Sequence, residues 1–449
     1  MGPAERIGPV GAHDARAGPV VKPKLGVDDS ARFVPPALRH PLFRRFWIGL
    51  LSSVFGFRIF QFAQFWLVHE LTGSVLWLGF VGLADAIPAI VLNLLGGVAA
   101  DRMNRRRLVM WTELVAVIVV GGLALMVLMG SVAPWHVLVA VAATSGLNAF
   151  NAPARLALFP NYVPRASLLS AVALNTAAWQ MTRIVGPAVA GLLIALTGTE
   201  VALFVSALGL LGMVFVMKTL PGGEAARTER GKAMRDVLDG LVYIRSQPLF
   251  RFLIGMTFFN SFFLMSFMPL MPVFAVDILD VGASGQGILV GVSGVGSLIV
   301  TLWISTRRSN RGKGAFLIGG ATLAGGSLVA FSLSSQYVGS FALALVFIFF
   351  VGTFSSMYMI SVTTSLQLMV PDRLRGRVMG FWNMTWNIMP LGALFAGGLS
   401  KLVTVPWAVA IGGCAVIVFA LGPALLNGQV RTLGKTVDEA SARLGAAVE

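Results

Sequence analysis

A few ionisable side chains stand inside long apolar runs of this 449-residue chain, and these are the groups that could do chemistry. Arg58 shares a helical stripe with Gln61 and Gln64. Asp85 and Glu113 are the acids, and Arg183 lies midway along another run with Asn175 and Trp179 two turns and one turn before it. Burying such a group in an apolar medium costs a few kcal/mol, so each needs a partner, water or a ligand. Arg58 and Asp85 lie within about 3 Å of the same depth at 1.5 Å per residue, and they are expected to pair. That pair is either a permanent structural tie or one broken when Asp85 takes a proton. Glu113 stands early in its run, where a helix dipole favours an acid, and both a structural and a proton-coupling role are open to it. Arg183 has no acid at its depth nearby in sequence. It calls for a water-filled cavity or an anionic ligand, unless carbonyls or polar neighbours take up its N–H groups.

Amides and indoles extend the pattern. Thr144, Asn148, Asn151 and Arg155 recur along one helical face, Thr257, Asn260 and Ser261 along another, and Asn383, Trp386 and Asn387 stand just before Pro390. Together with Gln61, Gln64, Asn175, Trp179 and Arg183, these residues are candidates to line a cavity for a partly aromatic or amphipathic small molecule. Trp and Asn serve equally well as glue between helices. No catalytic group is expected. The four His residues are scattered without metal-ligand spacing, so no metal and no cofactor are expected. No Walker-type phosphate loop occurs, and the His, Asp and Glu cluster that a membrane enzyme needs is missing. The single cysteine, Cys414, has no internal disulfide partner and is expected to be a buried packing residue.

The elements that must position these residues follow from composition. Hydrophobic residues make up 56% of the chain and charged ones 12%, with a mean hydropathy of +0.82. Too few polar residues remain to cover one soluble core of this size. Apolar runs at 46–68, 77–100, 108–130, 134–154, 168–197, 200–218, 249–275, 284–305, 315–334, 338–361, 378–400 and 405–427 are each close to the roughly 20 residues that cross a bilayer as a helix. No period-2 alternation runs through them, which excludes a membrane β-barrel. The expected fold is an all-α membrane protein of twelve spans.

The net charge of +15 does not imply nucleic acid, because the cations fall in short turns rather than along one face. Arg102, Arg105, Arg106, Arg107, Arg155, Arg165, Arg307, Arg308, Arg311, Lys313, Arg373, Arg375 and Arg377 all follow even-numbered spans, against Lys401 alone after an odd one. The positive-inside rule then puts both termini in the cytoplasm. Residues 1–40 and 428–449 read as tails, 41–218 and 248–427 as two six-helix bundles, and 219–247 as a cytoplasmic linker with a short amphipathic helix. An offset of 207 residues lays Val163-Pro164 on Val370-Pro371, Trp179 on Trp386 and Gly191 on Gly398, the mark of a duplication.

The turn after the second span reads Gly97-Val98-Ala99-Ala100-Asp101-Arg102-Met103-Asn104-Arg105-Arg106-Arg107. It resembles the Gly-x-x-x-Asp-Arg-x-Gly-Arg-Arg signature of the major facilitator superfamily, with Asn104 in the place of a turn glycine; Asn is the next type most tolerant of positive φ. Leu71-Thr72-Gly73-Ser74, Ala152-Pro153-Ala154-Arg155 and Gly186-Pro187 with Gly191 extend the resemblance over about 40–425, towards bacterial enterobactin-exporter and macrolide-efflux relatives. The resemblance implies two pseudo-symmetric bundles around a central cavity and a cytoplasmic gate built from Gly97, Asp101, Arg102, Arg105, Arg106 and Arg155. In that gate Asp101 docks near Val378 with Arg155 as its charge partner. The resemblance also implies a helix-5 motif at Gly186, Pro187 and Gly191, and export of a siderophore, macrolide or other amphiphile from a bacterial inner membrane by proton antiport. A monomer whose partners are the substrate and the bilayer is expected. Relatives often carry Asp where this chain has Phe57, so coupling through Asp85, Arg58 or Glu113 becomes the question. A lysolipid flippase of the same fold and a non-transporting membrane sensor are the rival readings.

Overall fold

The computed structural model describes residues 35–221, 244–245, 248–306, 313–371, 374, 378–382 and 385–426. Residues 1–34 of the expected N-terminal tail, the whole C-terminal tail, nearly all of the linker with its amphipathic helix, and Arg307, Arg308, Arg311, Arg373, Arg375 and Arg377 lie outside the described residues; Pro36–Arg39, within the expected tail, form a 3-10 turn with Ala37 buried.

Helices form where the apolar runs lie. They are α1 (Pro41–Thr72), α2 (Val75–Arg102), α3 (Arg105–Leu128), α4 (Pro134–Leu158), α5 (Leu168–Thr197) and α6 (Thr199–Thr219), then α7 (Pro248–Phe259). The chain continues from α7 through two π-helical turns, Asn260–Leu264 and Phe274–Ile278. There follow α8 (Gly282–Thr306), α9 (Lys313–Tyr337), α10 (Phe341–Met369), a short α11 (Met389–Leu399) entered through the 3-10 turn Thr385–Ile388, and α12 (Val405–Leu426). Among the described residues, eleven stretches are long and apolar enough to cross a membrane, and α11 is an apolar helix of shorter length.

α1 and α7 start earlier than expected, at Pro41 and Pro248, and α4 starts at Pro134 as expected; in each, proline takes the first helical position, where a fixed φ helps and no N–H is missed. α1 stops at Gly73, whose φ of 57° only glycine adopts freely and whose N–H donates to the His69 carbonyl at 2.7 Å. The turn at 103–104 departs from expectation. Asn104 has φ −65° and caps α3, its side chain accepting from the Arg107 N–H at 3.1 Å. The tighter turn uses Asn for its oxygen rather than for left-handed backbone.

The two halves repeat their packing. In the first, α1 packs on α5 and α6, α3 on α4 and α6, and α2 on α4; in the second, α9 packs on α10 and α12, and α8 on α10, the equivalent pairings. Small residues bring the rods together: Ser206 Oγ donates to the Gly56 carbonyl at 2.7 Å and Ser52 Oγ to the Gly209 carbonyl at 2.8 Å. A Cβ at Gly56 would lie within 3.1 Å of the Gly209 Cα. Cys414 is exposed rather than buried. Its neighbours Gly412 and Gly413 face the π turn Asn260–Leu264 and α9, which turns the thiol to the outside of α12.

Candidate functional site

Two helix pairs join the halves, α5 with α8 and α2 with α11. Glycine makes the first pair close: a Cβ on Gly287 would stand 2.6 Å from the Pro187 carbonyl oxygen and 3.3 Å from the Gly191 Cα. Gly191 abuts the Ala283 carbonyl, and Gly186 packs on the Arg58 side chain. Pro187 and Gly191 therefore shape a helix crossing between the halves, while Gly186 brings α5 against α1 within the first half. In the second pair Gly82 meets Pro390 and Gly79 meets Leu394.

Between the halves lies a cavity of about 250 Å3 lined by Arg58, Gln61, Phe62, Phe65, Arg183 and Pro187 from the first half and by Met268, Pro269, Gln286, Val290 and Met389 from the second. Arg58 Nη1 donates to Gln61 Oε1 at 2.7 Å. Arg183 reaches across the interface, donating through Nη2 to Ser297 on α8, whose hydroxyl also bonds Ser356 on α10. Sequence reasoning missed Ser297, Ser356 and Gln286, since small hydroxyls and a lone amide in apolar runs carry no signal until a charge is seen to face them.

A second, smaller cavity of about 40 Å3 lies within the first half, with room for a water molecule. Ser53, Phe57, Thr112, Glu113, Thr144, Asn148, Asn151, Arg155 and Trp179 are among its lining residues. Glu113 is 4% exposed; its Oε1 accepts from Ser53 Oγ at 2.8 Å and from Asn151 Nδ2 at 3.2 Å, while Oε2 is buried without a partner. Phe57 lines this cavity, and the carboxylate in it comes from Glu113 on α3. The Trp179 ring, in the small cavity, lies between a guanidinium of that cavity and one of the larger cavity. Arg155 Cζ lies 5.2 Å from its centroid and Arg58 Cζ 5.4 Å, both within cation–π range.

Several expectations change. Arg58 and Asp85 do not pair. α2 packs chiefly on α4, so Asp85 lies beside Ser145, whose hydroxyl donates to the Asp85 carbonyl at 2.5 Å. Arg155 is 8% exposed and points into the bundle, with Glu113 as the charge within its range. It sits a turn inside the end of α4, deep enough to prefer the buried acid. The Asp101 side chain, its docking near Val378, the side chains of Trp386 and Asn387, and Asn383 lie outside the described residues. Arg105 and Arg106 hold carbonyls within their own half: Arg105 donates to Ala100 O at 3.2 Å and Ala157 O at 3.4 Å, and Arg106 to Leu220 O at 2.7 Å. These are the negative ends of α2, α4 and α6, where a cation is favoured. Arg102 is exposed, and a side chain on Gly97 would meet open space. Gln64 and Asn260 are buried at 3% and 1%, and neither they nor Asn175 line these two cavities.

The fold, with the charges of its interior, has counterparts. The family profile of transmembrane secretion effectors, a major facilitator group, matches residues 31–445. The chain belongs to the major facilitator superfamily. Among its relatives in that superfamily, the multidrug efflux pump Tap of Mycolicibacterium fortuitum is 26% identical over 347 residues, 75% of this chain and 83% of the pump. The enterobactin exporter EntS of Shigella boydii is 24% identical over 412 residues, 90% and 96% of the two chains. Among solved structures, a bacterial homologue of the lysosomal transporter Spinster, inward-facing and unoccupied, superposes with a TM-score of 0.63 at 13% identity, over 90% of this chain and 98% of that one. As a major facilitator protein with efflux relatives, this chain is a multi-span membrane transporter.

Proposed function

We propose that this transporter exports a small amphiphilic molecule across a bacterial inner membrane by alternating access, exchanging it for protons. One observation carries the reading. A buried acid is linked to the cavity between the halves through the sequence Glu113, Arg155, Trp179 and Arg58, each facing the next. Protonating Glu113 would remove the charge that attracts Arg155 and so change the hold of Arg155 on the indole that also carries Arg58. A proton in the small cavity then acts on the substrate cavity, and by linkage the substrate acts equally on the proton. Antiport needs that reciprocal coupling. The small cavity has room for the water that would deliver the proton.

The basic turns and both termini are placed in the cytoplasm by the positive-inside rule. The halves meet through Gly191 with Ala283 and Gly397 with Val75, towards the opposite face, so the closed side is the outer one and loading from the cytoplasm is favoured. Aromatic, thioether and guanidinium groups around the larger cavity suit an amphiphile, in keeping with drug and siderophore relatives. One feature favours a lipid flippase instead: an apolar recess of about 510 Å3 lined by Phe259, Ala415, Val418, Phe419, Gly422 and Pro423 on α7 and α12.

The deciding measurement is drug and metabolite accumulation in deletion and overexpressing cells, with and without a protonophore. Export that raises no substrate outside the cell, or that ignores the protonophore, removes the proton-antiport reading. Movement of labelled lysolipid alone selects the flippase.

A further inference from the structure

We infer that the cavity between the halves is an anion site, taking an amphiphilic organic anion whose acidic group sits between Arg58 and Arg183. The inference rests on the export reading and names its substrate class.

The charge balance inside the membrane is the reason. Arg58 on α1 and Arg183 on α5 line the same cavity, and Arg58 lies within electrostatic range of Arg183. Among the described residues neither forms an ion pair. Arg58 Nη1 donates to the neutral Gln61 and Arg183 Nη2 to the neutral Ser297. The two acids inside the spans are engaged elsewhere, Asp85 beside Ser145 and Glu113 in the cavity that holds Arg155. Two like charges in a largely apolar cavity repel each other and lose hydration, and an incoming anion reverses both penalties. A cation would add a third positive charge.

Two unsatisfied groups complete the site. Arg58 Nε is a buried donor without a partner, and Gln286 Oε1, on a residue 3% exposed, is a buried acceptor without one. Both residues line this cavity. An acid group supplies oxygens to the guanidinium edge, and a hydroxyl on the ligand body satisfies the amide. Phe62, Phe65 and Met268 leave the rest of the cavity apolar, which sets the amphiphilic requirement.

The test uses the purified full-length transporter in detergent and three probes with one ring system: 2-naphthalenesulfonate, 2-naphthylmethanol and 2-naphthylmethylammonium. Calorimetric titration and thermal unfolding read the binding. The sulfonate is expected to bind roughly tenfold tighter than the alcohol and to raise the unfolding temperature, with no binding of the ammonium compound. Arg58→Gln and Arg183→Gln should each remove about tenfold of the sulfonate affinity while leaving the alcohol within twofold, and Arg183→Lys should retain most of it. Equal binding of the three probes, or preference for the cation, overturns the inference even with a misfolded variant, because it is read on the natural protein. Protonophore-sensitive efflux without anion preference would sink the anion site and leave export standing. Anion binding without efflux of any compound would do the reverse.

Discussion

His69 Nε2 lies 3.3 Å from Asp277 Oδ1, tying the end of α1 to the π turn at the end of the seventh span, across the two halves. The contact sits on the side where the halves are packed together, with His69 6% and Asp277 48% exposed. Half-exposed pairs of this kind contribute about 0.2–1 kcal/mol. Asp277→Asn should therefore shift the balance between open and closed on that face by up to about fivefold, and no further. Distances between spin labels on α1 and α8, measured by pulsed resonance, check this; an unchanged distribution means the pair does not bear on closure.

Glu113→Gln is expected to leave the protein folded and to abolish proton-driven exchange in proteoliposomes, while substrate still binds. Arg155→Met leaves the buried carboxylate uncompensated and should destabilise by about 3 kcal/mol. The double variant should recover part of that loss, a coupling of about 1–3 kcal/mol in a thermal or denaturant cycle. Additive losses would show that the two charges do not communicate.

Trp179 carries both guanidiniums, so its truncation should be felt on both sides. Trp179→Ala is expected to lower stability by about 3 kcal/mol or more and to weaken substrate binding, whereas Trp179→Phe keeps part of the cation–π contact. Equal transport by the two variants would assign Trp179 to packing alone.

Gly287→Val places a side chain against the Pro187 carbonyl, 2.6 Å from where its Cβ would stand. Overpacking of about 1–3 kcal/mol is expected, paid only in the state that brings α5 and α8 together, a five- to hundredfold shift towards the alternative state. Faster alkylation of single cysteines on the α5 and α8 faces would report it. Normal alkylation with normal flux would show that the crossing does not close during transport.

How much of this was legible beforehand depends on the range of the physics involved. The amino-acid order alone determined the helical spans, the turns between them, the duplication and the superfamily. A span requires only enough consecutive apolar residues to match a bilayer, and the Gly73 turn only one residue tolerant of positive φ; both are local properties. It also marked Arg58, Glu113, Arg155, Trp179 and Arg183 as costly or unusual, because a buried charge is visible in any apolar run.

Tertiary structure alone decided who meets whom. Arg58 and Asp85 share a depth, but depth is one coordinate, and the rotation of α2 towards α4 sends Asp85 to Ser145. Arg155 belongs by sequence to a cytoplasmic end and by packing to the acid of α3. Ser297, neutral and small, became a partner of Arg183 only when α5 and α8 crossed on their glycines. Helix rotation and neighbour choice arise from contacts between residues far apart in sequence, 60 for Asp85 with Ser145 and 114 for Arg183 with Ser297, which no short window along the chain contains.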